Sequence, residues 1–127
     1  LYHVNLGYPL IDAGAEILLG EDRLEVDEPQ RSFVEQVTEH DLPADDDGFA
    51  SAVVLNGAAG LECALRYRKA ELPHFMCWYM MGEGPYVVGL EPSTAALDEV
   101  RDPASMRYLD PGEQVEYELV VTVGEGS

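Results

Sequence analysis

Positively charged residues are scarce in this sequence. It holds 7 lysines and arginines, of which Lys69 is the sole lysine, against 25 aspartates and glutamates, and the formal net charge is −18. Proteins that bind nucleic acids neutralise phosphates with lysine and arginine. No apolar run approaches the ~20 residues that a membrane-spanning helix needs. We therefore expect neither a nucleic acid nor a membrane as a partner.

The excess of acid also suggests an environment. A surface of one charge repels itself and destabilises the compact state, whereas at ~1 M salt the screening length falls to roughly 3 Å and the repulsion largely disappears. We interpret the acidic composition as a halophilic adaptation to a salty cytoplasm. An ordinary acidic protein is the alternative.

Cysteines and metal-binding motifs are also sparse. Cys63 and Cys77 lie in strand-like runs, and the sequence has neither a CxxC pair nor a Cys/His cluster with zinc spacing. Buried thiols are expected at both positions. A Ser-His-Asp motif and a phosphate-binding glycine loop are likewise missing. We expect no cofactor and no metal.

Proline and glycine divide the 127 residues into short segments that fit one domain. No segment keeps a helical period, and apolar or alternating runs predict strands at 1–6, 15–19, 24–26, 50–56, 61–69, 75–81, 86–90 and 114–123. The acid-rich residues 27–47 are predicted as a long loop, and 92–103 as a second loop with a helical turn at 94–100. The expected fold is all-β, an antiparallel β-sandwich.

One acid, Glu91, closes the apolar run that begins at Tyr86, and Pro92 follows it directly. Proline holds the preceding residue extended, so Glu91 is expected at the end of a buried strand, projecting into a cavity. A partly desolvated carboxylate has a raised pKa and can act as a general base. The competing interpretation is an acid at a strand end that faces water.

The other candidates are weaker when taken one at a time. Histidines titrate near pH 6.5 and exchange protons at neutral pH, which makes His3 a candidate acid and His74 a weaker one, while His40 lies in the acidic segment and is expected to face water. Trp78 is the single tryptophan and could stack on a sugar, although a lone tryptophan is more often a core residue. Arg66 could contact substrate or pair with an acid.

Three stretches carry a resemblance when taken in order: YHVNLGYPLID, LPHFMCWYMMGEGPYVVGLEPST and YLDPGEQVEYELVVTV. Together they resemble the C-terminal half of aldose 1-epimerase-like proteins, the galactose mutarotase superfamily, and most closely its less characterised branch. The resemblance covers most of the chain and is poorest in the acidic segment. It implies part of a large β-supersandwich that binds a monosaccharide or related sugar across its concave sheet.

The resemblance also implies a mechanism. In that superfamily a glutamate takes the proton of the anomeric hydroxyl and a histidine protonates the ring oxygen, so that the ring opens and closes on either face. Carried over, Glu91 is the base and His3 is the acid. The spacing departs from the superfamily pattern, because only Val4 separates His3 from Asn5. The predicted sugar-contacting residues are Asn5, Trp78, His74 and Arg66.

Two features suggest a piece of a longer protein. The chain begins Leu-Tyr-His without a methionine, and the resemblance covers only half of the superfamily fold. We expect a C-terminal fragment that need not be active alone. The alternatives to an anomer-interconverting isomerase are a non-catalytic carbohydrate-binding β-sandwich and a structural half-domain that forms a homodimer through open sheet edges.

The isomerase hypothesis makes one spatial prediction. His3 and Glu91 should face the same concave pocket at roughly 5–8 Å, about one sugar ring apart, so that both reach the anomeric centre.

Overall fold

The computed structural model describes residues 1–97 and 106–125, which form strands and turns without an α-helix. Within this part the nine strands are β1 (Val4–Leu6), β2 (Glu16–Leu19), β3 (Asp22–Glu25), β4 (Gln36–His40), β5 (Phe49–Asn56), β6 (Leu61–Arg68), β7 (His74–Met81), β8 (Tyr86–Ser93) and β9 (Leu119–Glu125). No helix of these ranges is long and apolar enough to cross a membrane. Residues 98–100 of the helical turn predicted at 94–100 lie outside the described residues.

The strands form two antiparallel sheets, which confirms the predicted fold class. One sheet has four strands in the order β1-β8-β7-β4, and the other has five in the order β3-β2-β5-β6-β9. Their inward faces pack together: the ring of Tyr67 on β6 stacks on that of Phe75 on β7, with centroids 5.8 Å apart. Apolar side chains of both sheets form one buried cluster.

Strand β5 shows how the sequence pattern builds this core. Its side chains alternate between buried and half-buried, and Ala50, Ala52 and Val54 point inward. Alternation with a period of two is the signature of a strand with one buried face. Paired strand β6 buries Leu65 and Tyr67 in the same way.

Asn56, a buried polar side chain, ends β5 and ties two turns to the sheet. Its amide nitrogen donates to the carbonyls of Pro9 and Leu10 at 3.0 and 3.1 Å, and its oxygen accepts from the N–H of Ala59 at 3.0 Å.

We expect Asn56→Ala to lower the free energy of unfolding, measured with urea, by about 1–3 kcal/mol or more, because buried partners lose their hydrogen bonds. The matched control Asn5→Ala, at an exposed position, should stay within about 0.5 kcal/mol of wild type. Equal losses at both sites would contradict this role of Asn56.

The long loop predicted for residues 27–47 is wrong, because β4 lies within it. Strand β4 pairs with β7 along its whole length, from Gln36 opposite Tyr79 to His40 opposite Phe75. It is an edge strand, and all of its side chains except that of His40 are exposed. Because edge strands tolerate charged residues, β4 lacks the apolar pattern that marks a strand in the sequence. Its backbone pairing with β7 holds it in the sheet.

The predicted end of β8 at Leu90 is also wrong, since the strand continues through Glu91 and Pro92 to Ser93. The carbonyl of Pro92 accepts from the N–H of Tyr2 at 3.0 Å. In an antiparallel strand the N–H and C=O of one residue point to the same side, so the missing N–H of Pro92 faces the β1 side. The ladder between β7 and β8 therefore loses no hydrogen bond to proline.

Strand β9 is shorter at its start than predicted, beginning at Leu119 instead of 114, and it is unexpectedly exposed. Val121 and Val123 pair with the buried residues Leu65 and Cys63 yet are 51% and 70% exposed. They face the same side of the sheet as the core, but within the described part nothing covers them.

Tyr2, which precedes β1, contacts Tyr117 edge-to-face at 6.2 Å, so the edges formed by β1 and β9 lie on one flank.

Both cysteines are free and buried, as predicted. Burial, together with the charge of Glu91, raises the pKa of Cys77 to about 12. A thiol in this state is unreactive at neutral pH.

Candidate active site

The outward face of the four-stranded sheet carries the predicted catalytic groups. On β8, Val88 and Leu90 point into the core, so Gly89 and Glu91 point outward by alternation. Across the ladder Gly89 pairs with Trp78, and Glu91 pairs with Met76. This surface is called the outer face below.

Strand β1 brings His3 to the same face. Val4 pairs with Leu90, and the Tyr2–Pro92 hydrogen bond continues the pairing beyond the strand. One step before Val4, His3 therefore lies opposite Glu91. Its Nδ1 is 3.6 Å from Oε1 of Glu91, closer than the predicted one-ring separation. The two groups are therefore too close for a sugar ring to lie between them.

The carboxylate of Glu91 is buried, and the imidazole of His3 lies beside it. The residue is 8% exposed, and within the described residues no hydrogen bond reaches its carboxylate. Burial raises its pKa, and the nearby imidazole of His3 partly opposes the rise. The Nδ1–Oε1 distance is too long for a hydrogen bond. A desolvated carboxylate with a raised pKa beside a histidine is a typical arrangement of acid–base catalysts.

The indole ring of Trp78 lies beside the imidazole of His3. The two rings meet edge-to-face, with centroids 5.5 Å apart and an interplanar angle of 87°. The indole N–H donates to Oε2 of Glu35 at 2.9 Å, which fixes the plane of the ring. Trp78 is half-buried and lies on the outer face, so it is not the core residue that a lone tryptophan more often is.

His74 and Asn5 are on the outer face as well. Asn5 is exposed and pairs with Gly89. His74 lies two residues before Met76 on β7, and its Nδ1 is 3.7 Å from Oε1 of Glu39. Beside this pair is a cavity of about 350 Å³ at the end of β4 and β7.

The structure does not bring Arg66 to this group. Arg66 lies on the outward side of β6 in the other sheet, where its guanidinium sits 4.6 Å from the ring centroid of Phe49 and 3.3 Å from Oδ2 of Asp45. His40, predicted to face water, instead has a side chain that is only 8% exposed and contacts Asp22 and Thr38. Neither residue belongs to the candidate site.

Within residues 1–97 and 106–125 no group of three or more histidine, cysteine or acidic side chains is arranged to hold a metal ion. The carboxylate of Glu91 and the imidazole of His3 lie close enough together for both to contact one small molecule at the outer face.

Two residues of the site were missed by the sequence analysis. Glu35 lies in the acid-rich segment, where nothing distinguishes it from its neighbours. Gly89 had a usable signal, since a glycine inside an apolar strand often marks a close approach of another group.

The fold and the site define a β-sandwich with a histidine–glutamate pair on the outer face of its four-stranded sheet. The family model "Domain of unknown function (DUF4432)" matches residues 1–123, and the chain belongs to that family. No curated protein matches the sequence of this chain.

A solved structure shares the fold. It is that of a proposed aldose 1-epimerase from Klebsiella pneumoniae subsp. pneumoniae, which matches with a TM-score of 0.84 at 23% sequence identity. The match covers 96% of the present chain and 37% of that chain. The present chain thus spans little more than a third of the length of this structural neighbour.

Proposed function

We propose that the protein is a carbohydrate-active isomerase that interconverts sugar anomers by acid–base ring opening. The observation that carries the proposal is the buried Glu91 carboxylate with His3 at 3.6 Å on the outer face of the four-stranded sheet. The likeness of the fold to a proposed aldose 1-epimerase supports it. As the chain spans 37% of that neighbour, the activity is proposed for the full-length protein, of which we expect this chain to be the C-terminal part.

The geometry suits the anomeric centre. The anomeric hydroxyl oxygen and the ring oxygen are bonded to the same carbon, so two groups that lie side by side can each reach one of them. Glu91 takes the proton of the anomeric hydroxyl while His3, protonated, gives a proton to the ring oxygen. The bond between C1 and the ring oxygen breaks and an open-chain aldehyde forms.

Ring closure reverses these transfers. After rotation about the C1–C2 bond, His3 takes the proton back from the hydroxyl formed from the ring oxygen, which attacks C1. Glu91 returns its proton to the carbonyl oxygen. Both residues end as they began, so the cycle needs no cofactor. In this proposal Asn5 and His74 hydrogen-bond the sugar hydroxyls, and the indole of Trp78 packs against the ring.

A carbohydrate-binding module without catalysis is the second candidate. The specific observation that favours it is the indole of Trp78, which Glu35 holds in a fixed plane. An aromatic ring held in a fixed plane can bind a sugar without any reaction of that sugar. The predicted homodimer through sheet edges is a third candidate for the chain alone, with the exposed strand β9 as the surface concerned.

Anomer exchange in the full-length protein tests the first candidate against the second. We expect magnetisation-exchange NMR to show faster interconversion of the α and β forms of an aldose when protein is added. Titration with the same aldose should change a tryptophan fluorescence signal that Trp78→Phe removes. Binding without faster exchange would favour the binding module, and the absence of both effects would contradict sugar binding at this face.

A further inference from the structure

Gly89 occupies the centre of the outer face. It pairs with Asn5 of β1 on one side and with Trp78 of β7 on the other. Its φ is not among the positive values found at other glycines of the described part, so the backbone at this position does not itself require glycine.

The reason for glycine lies in the space above it. A Cβ added at position 89 would lie 2.7 Å from Nε2 and 3.2 Å from Cδ2 of His3, and 3.1 Å from Cβ of Trp78. Contacts below 3.0 Å are essentially never seen for real Cβ atoms. The imidazole therefore rests in the volume that any other side chain at position 89 would fill.

His3 is the group that would have to move. The Cβ of Trp78 is fixed by the β7 backbone in the middle of the sheet, whereas the His3 side chain is 41% exposed and lies outside β1. The edge of the imidazole that carries Nε2 rests over Gly89, and Nδ1 faces Glu91. Lifting the first edge off the sheet would turn or shift the nitrogen that faces the carboxylate.

We propose that Gly89 is a positioning residue for the reaction: the notch left by its missing side chain seats the His3 imidazole beside Glu91. This inference rests on the proposed function for its kinetic consequence, but its structural part can be tested alone.

The test is Gly89→Ala in the full-length protein, with Gly124→Ala as the matched control. Gly124 is also a strand glycine, on β9 in the other sheet, and nothing lies within 4 Å of its added Cβ. We expect Gly89→Ala to lower kcat for anomer exchange about 10²-fold, as a misplacement of roughly 1 Å can do, with a much smaller change in KM. Gly124→Ala should leave both constants unchanged.

Two further measurements separate positioning from general damage. In a His3→Gln background Gly89→Ala should cause little further loss of kcat, because the group that it displaces is already gone. In a His3→Ala background Gly89→Ala should destabilise the protein less than it does in wild type. If Gly89→Ala fails to fold alone and also in the His3→Ala background, the clash does not lie with His3 and the proposal is overturned.

The NMR titration of His3 provides a readout that needs no activity. In Gly89→Ala the imidazole resonances should lose their response to the ionisation of Glu91, which they should show in wild type and in Gly124→Ala. An unchanged response together with an unchanged kcat would overturn the proposal. An altered response in a protein that shows no anomer exchange even as wild type would uphold the seating of His3 and reject the proposed function instead.

Discussion

Glu91→Gln should reduce anomer exchange by the full-length protein about 10²- to 10⁴-fold, the usual contribution of one general acid–base group. Glutamine keeps the shape of the side chain but cannot take the proton of the anomeric hydroxyl. Magnetisation-exchange NMR at saturating sugar measures the effect. The matched control is Glu62→Gln, a strand glutamate opposite Leu55 in the other sheet, which should keep full activity.

The same substitution should make the folded protein more stable at neutral pH. Burial raises the pKa of Glu91, so the folded state binds this proton more tightly than the unfolded state does. The protonated carboxyl thus favours folding in acid, and that advantage is lost as the pH rises through the ordinary glutamate pKa and then through the raised one. Glutamine is never charged and escapes the loss.

Urea-induced unfolding of both proteins across this pH range checks the sign. We expect the difference in the free energy of unfolding between Glu91→Gln and wild type to be largest in favour of the variant near neutrality and to shrink in acid. A variant that is less stable at neutral pH and inactive would show that Glu91 supports the fold, and the catalytic role would then lose its basis.

His3→Gln should also reduce anomer exchange about 10²- to 10⁴-fold, because the ring oxygen loses its proton donor. It should change the pH dependence of the residual rate as well. The base must be ionised, so the rate falls in acid as Glu91 becomes protonated. The His3 imidazole opposes the rise in the pKa of Glu91, and its removal should therefore shift this acid limb to higher pH.

His40→Gln is the control for the loss of an imidazole. His40 contacts Asp22 and Thr38 between strands, away from the outer face, so its replacement should lower stability and leave kcat unchanged. If His3→Gln lowers the rate no more than His40→Gln does, His3 is not the acid. An acid limb that does not move in His3→Gln would mean that the two groups do not interact in solution.

Local sequence patterns predicted the central strands well, and the reason is burial. Strands β5 and β6 alternate because one side of each faces the core, and this pattern is visible in the residues themselves. Strand β4 was missed because it lies at a sheet edge. Its side chains, such as Val37 and Glu39, are exposed, so apolar and polar residues do not alternate along it. The continuation of β8 through Pro92 depends on which side of the strand the missing N–H faces, which only the pairing partner decides.

The candidate site was predicted in part. The resemblance suggested Glu91 and His3, and the structure brings them together through the pairing of β1 with β8, a register between residues far apart in sequence that no local pattern contains. Arg66 lies in a strand that the sequence predicts correctly, but the sequence does not say to which sheet that strand belongs. The halophilic character and the cytoplasmic location stay predictions drawn from the charge.

The most direct test of the account is a crystal structure of the full-length protein with an aldose bound. We expect the anomeric carbon over the outer face, with the anomeric hydroxyl at about 2.6–3.2 Å from the Glu91 carboxylate and the ring oxygen at a similar distance from a nitrogen of His3. A sugar bound at another surface, or bound here with its anomeric carbon turned away from both residues, would contradict it.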